Sequence, residues 1–482
     1  MTVFLGSDYR GVFDPISLGL HAPSYLDDMR WEDEISTQDW GTFVHELTHY
    51  FQFLGTNFGI GYINGLVART QVLGVILRRI VEKKDEWSIP VSYSGIDLRD
   101  YCSSKKELEL FSSYMMVWRY YQEDIFGWSF PIYSYRPILS SKNPFHHLRT
   151  SFLYIEEDSD TAFPVTGEYV LEGQASTNEI NFLSHRSPSE RIYNNIMKRN
   201  YNALNGVNHA KYNGLNLILA KVGLGYLREL IYFIVLNQPF DNIIDNLGEY
   251  RLVRLFKKIV HNAYKINRQV VLEKINEEEI LFAIDIICKI MDFENPFERL
   301  SKTLKELARN DKSFGFVSSR SWISQRLIEW QIENKFEAIF WPLGPQVIIE
   351  SVPIFNLYFK NTIPEIDRHG LLCLMVSKGG DLDKKLSLGN DKKIITDKMI
   401  SEWLANAITE YSSQSLEIYL INGLFENTKT RCPLFVWSKP TICNSCEACS
   451  GFFPKIKHDK NCIVIRHCNE LFIDKLVTNE EV

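Results

Sequence analysis

Apolar residues recur every third or fourth position through much of this chain, and the places where that rhythm starts and stops outline its elements. From Thr37 to about Leu54, apolar and aromatic side chains follow helical spacing, with Ser36 or Thr37 as a cap and Gly55 as a stop. Similar patterns predict helices over roughly 60–86, 103–125, 169–184, 188–200, 213–237, 240–265, 276–292 and 295–309. The stretch after Trp128, SFPIYSYRPILSSKNP, carries the Pro and Ser of a loop. β-Branched and aromatic enrichment marks strands in PQVIIESVPIFNLYF around 345–365, in LLCLMVS and in CIVIRHC. No fixed-period repeat is present, and the fold class these patterns predict is α+β, predominantly helical.

Composition narrows the class. A chain of 482 residues with 45% hydrophobic and 13% aromatic residues can bury the cores of two to four folding units. Its 60 acidic and 53 basic residues give a net charge of -7 without a long run of either sign, so no nucleic-acid partner is expected. Gly, Ser, Asp and Arg interrupt MTVFLGSDYRGVFDP where a signal peptide needs an unbroken apolar run. Lys221, Arg228 and Glu229 interrupt the longest apolar region, from Gly214, and would be costly in a lipid-facing span. A cytoplasmic protein with no membrane span is the expectation.

Cysteine placement adds a second theme. Cys102, Cys288 and Cys373 are scattered in helical or apolar settings, as small buried side chains are, whereas six cysteines crowd into residues 432–468. In CNSCEACSGFFPKIKHDKNCIVIRHC, overlapping CxxC pairs precede further thiols and imidazoles, a pattern suited to a structural zinc ion in a reducing compartment. Cys446, Cys449, His458 and Cys462 form one plausible tetrahedron; Cys443, Cys446, Cys462 and Cys468 form another. An iron–sulfur cluster on the CxxCxxC run is a weaker option, because the trailing Cys-Pro is missing. The plain alternative is a set of free thiols. A site with four protein ligands has no open position, so this tail belongs to stability or recognition and not to chemistry.

The sharpest signal is HELTH, residues 45–49. Residues four apart on a helix lie one turn above each other, so His45 and His49 can each offer a ring nitrogen to one cation. Zinc takes about four ligands near 2 Å, and where one is water its pKa falls to about 7. Glu46, beside the histidines, is placed to accept that water's proton. Within TFVHELTHYFQF the only charge is Glu46. Burying an unpaired carboxylate between two imidazoles costs several kcal/mol, which a dication offsets. The competing reading is a pair of satisfied core histidines.

These residues, with Thr42 and the uncharged flanks, resemble the zincin metallopeptidases, and the resemblance implies His45 and His49 as zinc ligands and Glu46 as general base. The metzincin branch needs Gly and His soon after the second histidine, and YFQFLGTNFGIGYING has no histidine. The gluzincin branch takes a Glu from a second helix. Glu172-Gly173-Gln174-Ala175, followed by Glu179, is similar to the EGxAxxxE helix of aminopeptidase-N-like gluzincins. That likeness implies Glu172 as the third ligand and Glu179 as the partner that orients a zinc-bound histidine. Independently, Glu168, Glu172 and Glu179 share a helix face, where three carboxylates need a cation or histidine partner. Glu168 also suits a solvent-exposed helix start, and Glu168 or Glu179 is the alternative to Glu172 as ligand.

Two features depart from that family. His49 and Glu172 are 123 positions apart, which requires a helical insertion, and a GxMEN-type stretch ahead of HELTH is absent, which favours an endopeptidase. An oxyanion donor is expected downstream: His209 and Tyr212 in the turn-rich NGVNHAKYNG are candidates, with Tyr193 and His185 competing. The expected organisation is a zincin-like catalytic region over 1–215 with an insertion at about 57–165, a helical domain over 216–345, a mixed α/β region over 346–430 and a Cys-rich module over 431–482. The expected activity is zinc-dependent (Zn2+) hydrolysis of peptide bonds in a protein or peptide substrate. The rivals are a scaffold protein with structural metal sites and a zinc hydrolase of a non-peptide bond.

Overall fold

The computed structural model describes residues 12–14, 19–22, 37–61, 75–76, 78–80, 82–83, 98–104, 152–154, 162–164, 167–186, 207–238, 251–271, 277–309, 374–378 and 381–386. These residues are mostly helical. Helix α1 (Thr37–Gly55) buries Val44, Tyr50, Phe51, Phe53 and Leu54, and with them the polar His45, Glu46, Thr48, His49 and Gln52. So many buried polar groups on one helix demand partners from a neighbour.

That neighbour is α2 (Gly167–Arg186), which packs along α1 and also against α3 (Val207–Lys221) and α4 (Arg228–Leu236). Thr48 and Asn178 join α1 to α2: the Thr48 hydroxyl donates to Val44 O at 2.8 Å and accepts from Asn178 Nδ2 at 3.1 Å. At the far end of α1, Asn57 donates its N–H and its amide to Asn237, which closes α4, at 3.0 and 2.7 Å.

The periodicity over 213–237 predicts one helix, and the structure divides it. Gly223 sits at φ +81, Leu224 N donates to Leu219 O at 2.7 Å, and Gly223 N donates to Ala220 O at 3.0 Å. This is a Schellman ending of α3, completed by buried Leu224 and Leu219. A short 3-10 turn, Gly225–Leu227, then restarts the chain as α4, whose side chains from Leu230 to Leu236 are buried. Leu–Gly–Tyr–Leu keeps the apolar rhythm across the break, so hydrophobicity alone hides it.

Among the described residues four more helices follow: α5 (Arg251–His261), α6 (Ala263–Gln269), α7 (Glu277–Met291) and α8 (Pro296–Arg309). Asn295 Oδ1 caps α8 by accepting Phe297 N at 3.0 Å, with Pro296 in the first helical position. The Cys288 thiol on α7 is buried, and burial pushes it up to about 12 with Asp285 adding to the effect, so it is inert packing.

Short strands accompany the helices. Strands β1 (Val12–Asp14), β2 (Gly19–Ala22), β5 (Leu374–Lys378) and β6 (Asp381–Leu386) form one sheet in that order. β2 pairs in parallel with β5, and the other two pairings are antiparallel. β3 (Phe152–Tyr154) and β4 (Ala162–Pro164) form an antiparallel pair. Phe13 of β1 lies against α1, its ring 6.2 Å from Tyr50 and 5.9 Å from Phe53. The strands expected at 345–365 and in CIVIRHC, and the helices at 103–125 and 188–200, lie outside the described residues apart from the chain's two irregular residues at 103–104.

Candidate metal centre

Helix α1 presents His45 and His49 one turn apart, their ring centroids separated by 5.1 Å. Across the α1–α2 interface, Glu172 Oε2 lies 2.9 Å from His45 Nε2 and 3.5 Å from His49 Nε2. One donor atom from each of the three residues falls within 4.8 Å of the other two. A tetrahedron with bonds near 2 Å has edges of about 3.3 Å. The two separations from Glu172 Oε2 straddle that edge, so the carboxylate oxygen stands from each imidazole nitrogen at about the spacing of two ligands on one small cation.

The second nitrogen of each ring has its own partner. Gln52 Oε1 accepts from His49 Nδ1 at 2.8 Å, because an amide oxygen can only accept. The Gln52 amide nitrogen in turn donates to Leu171 O at 3.0 Å and to Gln174 Oε1 at 2.9 Å. His49 is thereby held with its proton on Nδ1 and a lone pair on Nε2, aimed at the Glu172 side of the pocket. His45 Nδ1 faces Glu179 Oε2 at 3.3 Å, a charged contact without the alignment of a full hydrogen bond. If that nitrogen carries the proton, His45 Nε2 sets a lone pair against the Glu172 carboxylate at 2.9 Å, and two acceptors at that distance need a proton or a cation between them.

Charge in the pocket points the same way. Glu46 is 8% exposed, and the side chains of Glu172 and Glu179 are 15% and 21% exposed. Burial opposes a charge on His45, but the hydrogen bond to Glu172, the close Glu179 carboxylate and the fields of Glu172 and Glu46 outweigh it and raise the imidazole well above its ordinary range. For Glu46, burial raises the carboxyl; His45, His49 and a hydrogen bond from the Phe13 backbone pull it down, while Glu172 pushes it up. Three carboxylates around two imidazoles make a buried site short of positive charge, and the donor set fits a divalent ion that accepts nitrogen and oxygen.

Of the downstream donors, Tyr212 reaches the centre: its ring centroid is 5.6 Å from that of His45. The turn-rich placement expected for His209 and Tyr212 gives way to helix, since both belong to α3. Asn and Gly are poor helix formers, but packing of α3 on α2 overrides that preference. His209 lies in the first turn of α3, and its side chain is outside the described residues. Asn216, one turn after Tyr212, ties the two helices by donating to Gly173 O at 2.9 Å and to Tyr212 O at 3.3 Å. Its Oδ1 accepts from Tyr232 OH at 2.8 Å and lies 2.9 Å from the Thr177 hydroxyl.

Sequence reading missed Gln52 and Asn216. The available signal for Gln52 was its position three residues after His49, on the same face of a helix with few polar residues. Cys443, Cys446, Cys449, His458, Cys462 and Cys468 lie outside the described residues, as do His185's side chain and Tyr193. Comparison with protein-family models, curated proteins and solved structures finds no match to this chain.

Proposed function

We propose that this chain is a zinc-dependent metallopeptidase of gluzincin type, an endopeptidase in which His45, His49 and Glu172 hold the metal. The observation that carries the reading is the convergence of these three donors from two helices within 4.8 Å, beside the buried carboxylate of Glu46. Zinc at this position would acidify water and polarise a carbonyl oxygen. Glu46 is the proton carrier: it takes the proton released as water attacks the scissile carbonyl and hands it to the leaving amine. Burial raises its carboxyl above the usual range, which makes the carboxylate a stronger base toward that water than an exposed glutamate would be. To Tyr212, whose ring lies against that of His45, we assign the donation to the oxygen on which negative charge develops. Glu179 and Gln52 orient the two imidazoles.

Zinc-loaded protein and its Glu46→Gln variant, incubated with a diverse peptide mixture, separate this reading from a scaffold. New amino termini should appear with the wild type only, while both proteins keep the same zinc content. Equal cleavage by the variant, or none by either protein, contradicts it.

A further inference from the structure

The Gln52 side chain is fully buried and joins three groups, one on its own helix and two on α2. Its acceptor partners settle which way the amide points: Leu171 O can only accept, so the NH2 end faces α2 and the oxygen faces His49. Leu171 immediately precedes Glu172 and Gln174 follows it by two positions, so the amide is anchored on both sides of the third ligand. We propose that Gln52 is a positioning residue of the metal site, holding His49 as the tautomer with a free Nε2 and locking that ring in register with Glu172. The proposal rests on the metallopeptidase reading of His45, His49 and Glu172.

The amide donates from one end and accepts at the other, which neither a carboxylate nor a cationic side chain can do. A carboxylate accepts but cannot donate to Leu171 O; a lysine or arginine donates but cannot accept from the imidazole; an asparagine is one methylene short of spanning the interface. Without Gln52, His49 Nδ1 loses its acceptor, and the ring is free to place its proton on the nitrogen that the metal needs. The arrangement also makes the two imidazoles unequal: His45 is backed by the Glu179 carboxylate, His49 by a neutral amide.

The test measures zinc affinity by competition with a chromophoric chelator, counting as site zinc the equivalent that Glu172→Ala removes. Gln52→Leu should weaken that zinc by about 10–100-fold, the usual loss when the partner of a metal-bound histidine is removed. Gln52→Glu should recover part of the loss, because the carboxylate still accepts from His49 while the bond to Leu171 O is forfeited. The visible spectrum of the cobalt-substituted protein should change in Gln52→Leu and return toward wild type in Gln52→Glu, which a role confined to packing would not produce. A folded Gln52→Leu protein with wild-type zinc affinity overturns the proposal. Should that variant fail to fold, Gln174→Leu, which removes one of the two acceptors of the Gln52 amide, should still weaken the site zinc, and unchanged affinity there overturns it equally. A wild type from which Glu172→Ala removes no zinc defeats the reading beneath it instead.

Discussion

A methyl group added at Gly173 would meet the Tyr232 hydroxyl at 2.6 Å and its ring carbon at 3.0 Å. The glycine after Glu172 is therefore a close-approach residue: it lets α4 bring a tyrosine against α2 within one residue of Glu172. Gly173→Ala should destabilise the protein by about 1–3 kcal/mol. Tyr232→Phe in that background should restore part of the loss, despite forfeiting the bond to Asn216, and chemical denaturation of the four-member cycle reads the coupling. Strict additivity would contradict the contact. Glu229 gives a pH-dependent counterpart. Burial pushes its carboxyl up to about 7, against the pull of the Asn181 hydrogen bond and of Arg228. An acid raised in the folded state costs stability as pH climbs, beginning near its unfolded value of about 4.3 and complete above about 7. Glu229→Gln keeps an oxygen for Asn181 and removes the charge. The variant should gain about 1–2 kcal/mol over wild type between pH 5 and pH 8, allowing for the partial exposure of Glu229, and a gap that stays flat across that range refutes the assignment.

Among elements, the α2–α3 pair carries the most information for its size. Asn216 is almost fully buried and serves Gly173, Tyr212, Thr177 and Tyr232 at once, so Asn216→Ala strands several buried polar groups. A loss of about 2–4 kcal/mol in stability is expected. Because Asn216 sets the backbone at Tyr212, the variant should also lower kcat for peptide cleavage more than it lowers zinc content; an unaffected kcat would detach Tyr212 from the chemistry. These elements were only partly legible in the sequence. HELTH was readable because five positions on one helix turn suffice to define it, and the face shared by Glu172 and Glu179 was readable from spacing alone. The break at Gly223 was not, since the apolar pattern runs through it and only a positive φ reveals it. Nor was the helix under His209 and Tyr212, where Asn and Gly speak for a turn and tertiary packing decides otherwise. Gln52 and Asn216 escaped for a related reason: a buried amide declares its role through partners about 40 to 120 positions away.

For the whole molecule, α2 is the hub, touching α1, α3 and α4, and the site lies where its carboxylates meet the imidazoles of α1. Residues near the two ends of the described chain also meet, in the pairing of β2 with β5, and β1 of that sheet delivers the Phe13 backbone to Glu46. Among the described residues no helix is long and apolar enough to cross a membrane. The centre thus depends on chain segments far apart in sequence, and a bound cation would stabilise the assembled state by an amount that grows with the logarithm of its affinity. The most direct measurement is the number of zinc ions per chain, determined by mass spectrometry of the native protein for wild type, His49→Ala and Glu172→Ala. Each substitution should remove one equivalent from the wild-type count, whatever the cysteine-rich tail binds; counts that do not change would show that these helices hold no metal.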